Sequence, residues 1–148
     1  MTAQDEAGPL PRRGARPPYV IITVTPGPAN LAGWVCERLR ASAASLSSAA
    51  GFLGLEIWQY AHATPDGKMI VSCLTRWASQ AHYARWRSGE PAQEASRQTQ
   101  EDPRYALLSS PYLYQPPEDW DGPEAGGYRL VTSLDAGGAW HDEPDAEG

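Results

Sequence analysis

The sequence predicts one α+β domain built around an antiparallel sheet. Three features indicate this class: a β-branched run near residue 20, a hairpin pattern in the middle of the chain, and helical patterns after each of them. The chain has 148 residues, 41% of them apolar, which is enough for one modest core. The predicted order, β-α-β-β-α-(α)-β, is typical of the ferredoxin-like split βαβ fold with a four-stranded antiparallel sheet.

The first predicted strand is YVIITVT (19–25), which is β-branched on both faces and is therefore expected to be covered on both sides. The PGPAN sequence interrupts it, and Asn30 stands where a helix N-cap is expected. The first helix is predicted from about residue 31 to residue 49, with Gly51 ending it. We interpret Asn30 first as the N-cap and second as a substrate ligand.

The hairpin is predicted from two apolar segments, 51–63 and 68–77, around the turn TPDG, in which Gly67 can adopt a positive φ. If Thr64 pairs with Lys68, Glu56 lies opposite Arg76. One hairpin face is then aliphatic, as expected under helices. The other face is aromatic with one charge pair, as is frequent where subunits meet.

The second helix is predicted from Ser79, a favourable N-cap, to about Ser88, and a third helical stretch follows until Pro103. The segment YLYQ (112–115) is predicted as the last strand of the domain. Because all helices are expected on one sheet face, the other apolar face is expected to be bare. A homodimer would cover it.

The ends of the chain differ in composition from its middle. Residues 1–17 are rich in Pro, Gly and Arg, which predicts a disordered tail, and residues 18–116 form the folded domain. Residues 117–148 are expected to be a loose acidic tail. Within them YRLVTSL (128–134) is a candidate short strand for a sheet edge, of this subunit or of its partner.

Charge and composition exclude several functions. The net charge of −6 disfavours binding to nucleic acid or to an anionic membrane, and no apolar run has the ~20 residues of a membrane helix. The N-terminal residues lack the apolar segment of a signal peptide, so we expect a cytoplasmic protein. The two cysteines, Cys36 and Cys73, have no metal-ligand spacing, and no metal site is expected.

Three strings carry a family resemblance: GFLGLEIW in the hairpin, SCLTRWAS at its end, and ARWRSGE at the end of the second helix. Over residues 18–116 the chain resembles the antibiotic biosynthesis monooxygenase family. The resemblance implies a dimeric α+β barrel. Its anthrone-oxygenase branch implies oxidation of a polycyclic aromatic polyketide, from phenol to quinone, with molecular oxygen as co-substrate and no metal, flavin or haem.

The resemblance also implies site residues. Trp77 matches a strand-end tryptophan that lines the substrate slot, Tyr83 matches a proton donor, and Arg97 matches an arginine that holds developing negative charge. His62 approximately matches a histidine of the site. Trp86 lies three residues after Tyr83 on the same helix side and is a second lining candidate. Without the resemblance, all five have simpler roles in core packing or on the solvated surface.

One position departs from the family pattern. The family places an asparagine four residues before the tryptophan, and this chain has Cys73 there. A thiol is a weak donor and does not replace an amide. In the predicted register Gln59 lies opposite Cys73, so Gln59 is a candidate to return an amide to the substrate.

Two further functions remain open at this point. A cyclase, dehydratase or isomerase on the same fold could use Tyr83, Arg97 or His62 as acid or base without oxidation. A non-catalytic dimer that binds a small molecule is the third possibility, favoured if the slot is filled by Trp34, Trp77 and Trp86. The haem-degrading branch needs an axial histidine later on the second helix than His82.

Overall fold

The computed structural model describes residues 18–62 and 64–143, and the predicted tail at 1–17 lies outside the described residues. This part of the chain forms six antiparallel strands in one sheet and three α-helices. The strands are β1 (Tyr19–Pro28), β2 (Phe52–Tyr60), β3 (Lys68–Trp77), β4 (Tyr112–Tyr114), β5 (Tyr128–Asp135) and β6 (Trp140–Asp142). The helices are α1 (Ala32–Ser42), α2 (Gln80–Ser88) and α3 (Glu90–Glu101).

The strand order is β4-β1-β3-β2-β5-β6. The first four strands, with α1 between β1 and β2 and with α2 and α3 between β3 and β4, confirm the predicted ferredoxin-like α+β fold. The candidate strand at 128–134 is observed as β5, which pairs with β2, whereas β6, which pairs with β5, was not predicted. The segment expected to be a loose tail therefore contains two paired strands. Within the described ranges no helix is long and apolar enough to cross a membrane.

The helix ends differ from expectation at the first helix and agree at the second. Asn30 is exposed inside a short 3-10 turn, and Leu31, which offers no side-chain bond, precedes α1, so the predicted Asn30 cap is wrong. The first helix also changes to a 3-10 helix at Ala43. Ser79 does cap α2, because its Oγ accepts a hydrogen bond from the backbone N–H of His82 at 3.2 Å.

The hairpin register is two residues away from the predicted one. Gly67 has the expected positive φ of 74°, but the strands stop at Tyr60 and Lys68 and leave a longer loop. In that loop the Thr64 hydroxyl, rather than a ladder pair, bonds the backbone of Lys68 at 2.7 Å. A shift by two keeps each side chain on its predicted face. The Glu56–Arg76 ion pair still forms, as a diagonal contact of 2.9 Å.

A β-bulge at Leu53 changes the start of β2. Phe52 pairs with Trp77 and Gly54 pairs with Arg76, so Leu53 is the extra residue. As a result Phe52 is buried with the core under the helices, whereas Leu53 is 48% exposed. Strict alternation along the hairpin predicts the reverse, with Leu53 on the aliphatic face under the helices and Phe52 on the aromatic face, because alternation does not anticipate a bulge.

The helix face of the sheet, meaning the face against the three helices, holds the main core. Trp77 lies at its centre with 0% exposure. Its ring centroid is 5.6 Å from Phe52, 5.8 Å from Tyr83 and 5.6 Å from Trp86. This aromatic cluster joins β2, β3 and α2, and it fixes the position of α2 over the sheet.

The second face, opposite the helix face, is not bare. Ile22, Val24 and Leu74 are buried there, and Trp120 from the chain after β4 packs against them. A cavity of about 150 Å³ remains under this segment, with Trp58 and Trp120 in its lining. The expectation of an uncovered face is therefore wrong. This face no longer supports the predicted homodimer, which would have to form through another surface.

The C-terminal strands are tied to α1 by one arginine. Arg40 pairs with Asp142 at 2.9 Å, and its guanidinium lies 4.4 Å from the ring centre of Trp140. The hydroxyl of Thr132, which is 1% exposed, bonds the same Asp142 carboxylate at 2.6 Å. Because Leu134 of β5 is buried in the main core, this extension belongs to the domain.

Candidate active-site cleft

A cleft of about 520 Å³ lies between the helices and the β1 half of the sheet. Its floor is formed by Thr23 and Thr25 of β1, which lie on alternate positions and therefore on one face. Residues of α1 and α3 spaced by about one turn form two walls, and the end of α2 forms a third. The segment from Tyr105 to Leu113 forms the front. This volume lies within the ~300–1,000 Å³ range of small-molecule sites.

Tyr83 is the best-positioned proton donor of the cleft. Its ring packs between Tyr19, at 5.9 Å, and Trp77, at 5.8 Å, so the side chain has little freedom. Its phenolic oxygen accepts a hydrogen bond from Nη1 of Arg87, one helical turn later, at 2.8 Å. Because the oxygen is already an acceptor, the O–H proton is free to be donated to a guest.

Aromatic rings form two walls of the cleft. Trp86 lines it from α2, with its ring 5.6 Å from Trp77 and its Nε1–H donated to the hydroxyl of Ser45 at 3.1 Å. Trp34 lines it from α1, and the guanidinium of Arg104 covers that ring at 4.9 Å. Both indoles are thus held in place, as a slot for a planar guest requires.

Trp77 itself does not line the cleft. It is completely buried, and its Nε1–H is donated to the hydroxyl of Thr75 at 2.9 Å. The place where β3 ends and α2 begins is closed by Phe52, which the bulge turns inward. Trp77 supports Tyr83 and Trp86 from behind, and the predicted lining role is corrected to a core role.

Arg97 also lies away from the cleft. Its side chain is 56% exposed, and it pairs with Glu94 and with Glu101, the latter at 3.1 Å, on the solvent side of α3. Its hydrogen bonds to Glu94 and then to Glu101 raise the pKa of its guanidinium. The helix turns Ser96 and Thr99 toward the cleft instead. The predicted charge-holding role of Arg97 is corrected accordingly.

The amide proposed to replace the family's asparagine is absent from the cleft. Cys73 pairs with Ile57, and Gln59 pairs with Val71, so the expected contact between Gln59 and Cys73 is not formed. Burial raises the pKa of the Cys73 thiol to about 12, which keeps it neutral. Cys73 is a small apolar side chain of the core.

Two other predicted residues lie on the surface. His62 is exposed in the hairpin loop, with its ring 5.4 Å from Tyr60, and Asn30 is exposed before α1. Neither lines the cleft. Of the eight predicted site residues, the structure thus brings Tyr83 and Trp86 together and leaves six elsewhere.

The sequence reasoning missed the arginines of the cleft. Among its described lining residues the charged ones are Arg38 of α1 and Arg87 of α2, both positive. For Arg38 the sequence does contain an indication. Trp34, Arg38 and Ser42 are spaced four residues apart and therefore lie on one side of α1. No three His, Cys, Asp or Glu side chains cluster as metal ligands within 18–62 and 64–143.

A comparison with protein families decides the relationship. The model of the antibiotic biosynthesis monooxygenase family matches residues 18–98, which is more than half of the chain and includes β1, α1, the hairpin, α2 and most of α3. The chain belongs to the antibiotic biosynthesis monooxygenase family. Membership indicates a monooxygenase-like role in antibiotic biosynthesis.

Solved structures similar to this family member include two bacterial proteins. One, from Pseudomonas aeruginosa, has 20% identity and a TM-score of 0.47, over 68% of this chain and 93% of its own. The other, a Bacillus cereus protein assigned to the antibiotic biosynthesis monooxygenases, has 15% identity and a TM-score of 0.48, over 70% of this chain and 95% of its own. A comparison with curated protein sequences found no significant match.

Proposed function

We propose that this protein is a cofactor-independent monooxygenase that converts an anthrone-type polycyclic polyketide to a quinone. The observation that carries the proposal is the cleft, because it combines a volume of about 520 Å³ with two fixed indole walls and an oriented phenol. A planar multi-ring phenol matches such a slot in size and in chemistry.

The proposed chemistry uses the substrate's own electrons. A phenolic anthrone loses a proton to solvent, and the positive charge of Arg87, which lies beside the Tyr83 hydroxyl, favours the resulting anion. The anion passes one electron to O₂, and the two radicals combine to a peroxide at the ring carbon. The ring carbon then loses its remaining proton to solvent as the O–O bond breaks, which leaves C=O. The departing oxygen takes one proton from Tyr83, which solvent replaces, and a second proton from solvent. In total CH₂ and O₂ give C=O and H₂O, with one oxygen atom in each product.

An oxygen electrode tests this proposal. Purified protein is incubated with emodin anthrone, without added metal, flavin or haem and after treatment with a chelator. We expect oxygen uptake that is proportional to quinone formed, above the rate of spontaneous oxidation. Quinone formation at the spontaneous rate would refute the proposed activity.

The role of Tyr83 is tested by Tyr83→Phe, which keeps the ring in the aromatic cluster and removes the donor. Proton transfer by a placed side chain contributes about 10²–10⁴-fold, so we expect a loss of turnover of that order. Tyr60→Phe is the matched control, since Tyr60 lies at the hairpin end beside His62 and Tyr128. Equal activities of the two variants would exclude Tyr83 as the donor.

A non-oxidative cyclase, dehydratase or isomerase is the second candidate. One observation favours it: the Tyr83 hydroxyl, bonded by Arg87, can donate a proton without any oxidation, while the family's asparagine position holds Cys73 and no amide. Product formation without oxygen uptake would support it. The third possibility, a non-catalytic module that binds a small molecule, would show binding of the anthrone without turnover.

We also propose a homodimer, now through β4. This edge strand exposes Tyr112, Leu113 and Tyr114 by 55%, 41% and 40%, and the first two also line the cleft mouth. Light scattering on wild type and on Leu113→Glu tests it. We expect a dimer for wild type and a monomer for the variant; a monomeric wild type would refute the assembly.

A further inference from the structure

The cleft has an uneven charge that the proposed oxidation does not by itself explain. Among its described lining residues there are two arginines and no carboxylate. Four other arginines, Arg40, Arg76, Arg97 and Arg104, each form an ion pair with an acidic side chain. Within the described residues Arg38 forms no such pair, so its charge is available to a guest.

Arg38 is nevertheless fixed in position. It projects from the middle of α1, and its Nε–H is donated to the hydroxyl of Thr99 on α3 at 3.1 Å. This bond sets the plane of the guanidinium. The terminal nitrogens, Nη1 and Nη2, make no hydrogen bond with the residues that the structure describes, which leaves at least one N–H of each free to bind a guest.

The carboxylate of Asp102, an acidic neighbour of Arg38, does not neutralise the arginine. Asp102 is close enough for the charge of Arg38 to contribute slightly to lowering its pKa, but Arg104 is the main cause. Arg104 donates hydrogen bonds to both oxygens of that carboxylate, from Nε at 3.0 Å and from Nη2 at 2.8 Å. Asp102 is therefore already paired. Arg38 keeps a free positive charge in a concave aromatic site.

We propose that Arg38 binds a carboxylate of the substrate, so that the cleft binds a planar aromatic acid more tightly than a neutral aromatic of the same shape. The two free guanidinium N–H groups match the two oxygens of a carboxylate in a paired arrangement. The aromatic part of the acid then lies against Trp34 and Trp86. The inference rests on the proposed function, since it names the substrate class of the same cleft.

Isothermal titration calorimetry tests this with two probes of equal shape, anthraquinone-2-carboxylate and anthraquinone-2-carboxamide. We expect wild type to bind the acid more tightly than the amide by on the order of 10–100-fold, the usual value of hydrogen bonds to a charged group. Arg38→Met should remove this preference and leave the affinity for the amide within about twofold. Thr99→Val, which frees the guanidinium, should reduce the preference in part.

Arg85→Met is the matched control. It removes the same charge from α2, at an exposed position outside the cleft, and should leave the preference of wild type intact. Arg38→Lys keeps the charge without the fork and serves if Arg38→Met fails to fold; it should retain only part of the preference. Equal binding of acid and amide by wild type, or the same loss in Arg85→Met as in Arg38→Met, would overturn the role of Arg38. Failure of wild type to bind either probe would overturn the aromatic cleft itself.

Discussion

Replacing Trp77 by Phe separates a core role from a catalytic one. Trp77 is 0% exposed and in contact with three other aromatic rings, so the smaller phenyl leaves a partial cavity. Complete truncation of a buried tryptophan costs about 3–5 kcal/mol, and a phenyl retains most of that packing, which leaves a loss of about 1–2 kcal/mol.

A second contribution comes from Thr75. Its hydroxyl accepts the indole N–H at 2.9 Å and is buried, and a buried group without its partner costs about 1–3 kcal/mol. Together the two effects predict a loss of about 2–5 kcal/mol in the free energy of unfolding. For a chain of this size that is a decrease in Tm of about 5–15 °C.

The assay is thermal unfolding followed by circular dichroism, with oxygen uptake on emodin anthrone measured well below the lower Tm. Trp120→Phe is the matched control, since Trp120 is half-buried on the second face and should cost less than about 1 kcal/mol. A Trp77→Phe variant with unchanged Tm and abolished activity would refute the core assignment and return Trp77 to the site.

Three further outcomes are expected. In urea denaturation, Gly51→Ala should lower the free energy of unfolding by more than about 2 kcal/mol, because Gly51 has a φ of +82° and a Cβ there would lie 2.3 Å from the His82 ring. The control Gly67→Ala, at a φ of +74° with open space around it, should cost about 1 kcal/mol. In a Cys36→Ala background, Cys73 should react with Ellman's reagent at pH 8 only as fast as the protein unfolds. Burial raises the pKa of the Cys73 thiol from 9.0 to about 12. Its contribution to the free energy of unfolding is therefore full below pH 9 and is lost as the pH rises toward 12. Truncation after Gly127 should lower Tm strongly, because it removes buried Leu134 and exposes the edge of β2. The control Asp142→Asn should lower Tm only slightly. An unchanged Tm after truncation would contradict the assignment of β5 to the core.

Local chemistry in the sequence predicts part of the local structure of this protein. The Ser79 cap and the positive φ of Gly67 depend on neighbouring residues, and both are observed. The hairpin register is harder to predict, because it depends on where the ladder stops, and the loop hydrogen bonds of Thr64 end it early. Alternation likewise fails at Leu53, where one extra residue changes the face of Phe52.

The site was predictable only where residues lie close together on one helix. Tyr83 and Trp86 are three residues apart on α2, and both line the cleft. The contact of Arg38 with Thr99 joins residues 61 positions apart and depends on how α1 packs on α3, which no local pattern contains. The predicted site role of Arg97 is wrong for the same reason, because the packing of α3 decides which of its faces is exposed to solvent.

The sheet divides the six tryptophans into two groups, one on each face, whose fluorescence reports on different surroundings. Trp34, Trp77, Trp86 and Trp140 lie on the helix face, and Trp58 and Trp120 lie on the other. A molecule entering the cleft meets the indoles of Trp34 and Trp86 directly, whereas an event under the C-terminal segment meets those of Trp58 and Trp120. Intrinsic fluorescence of single-tryptophan variants can therefore follow the two sides of one sheet independently, without any attached dye.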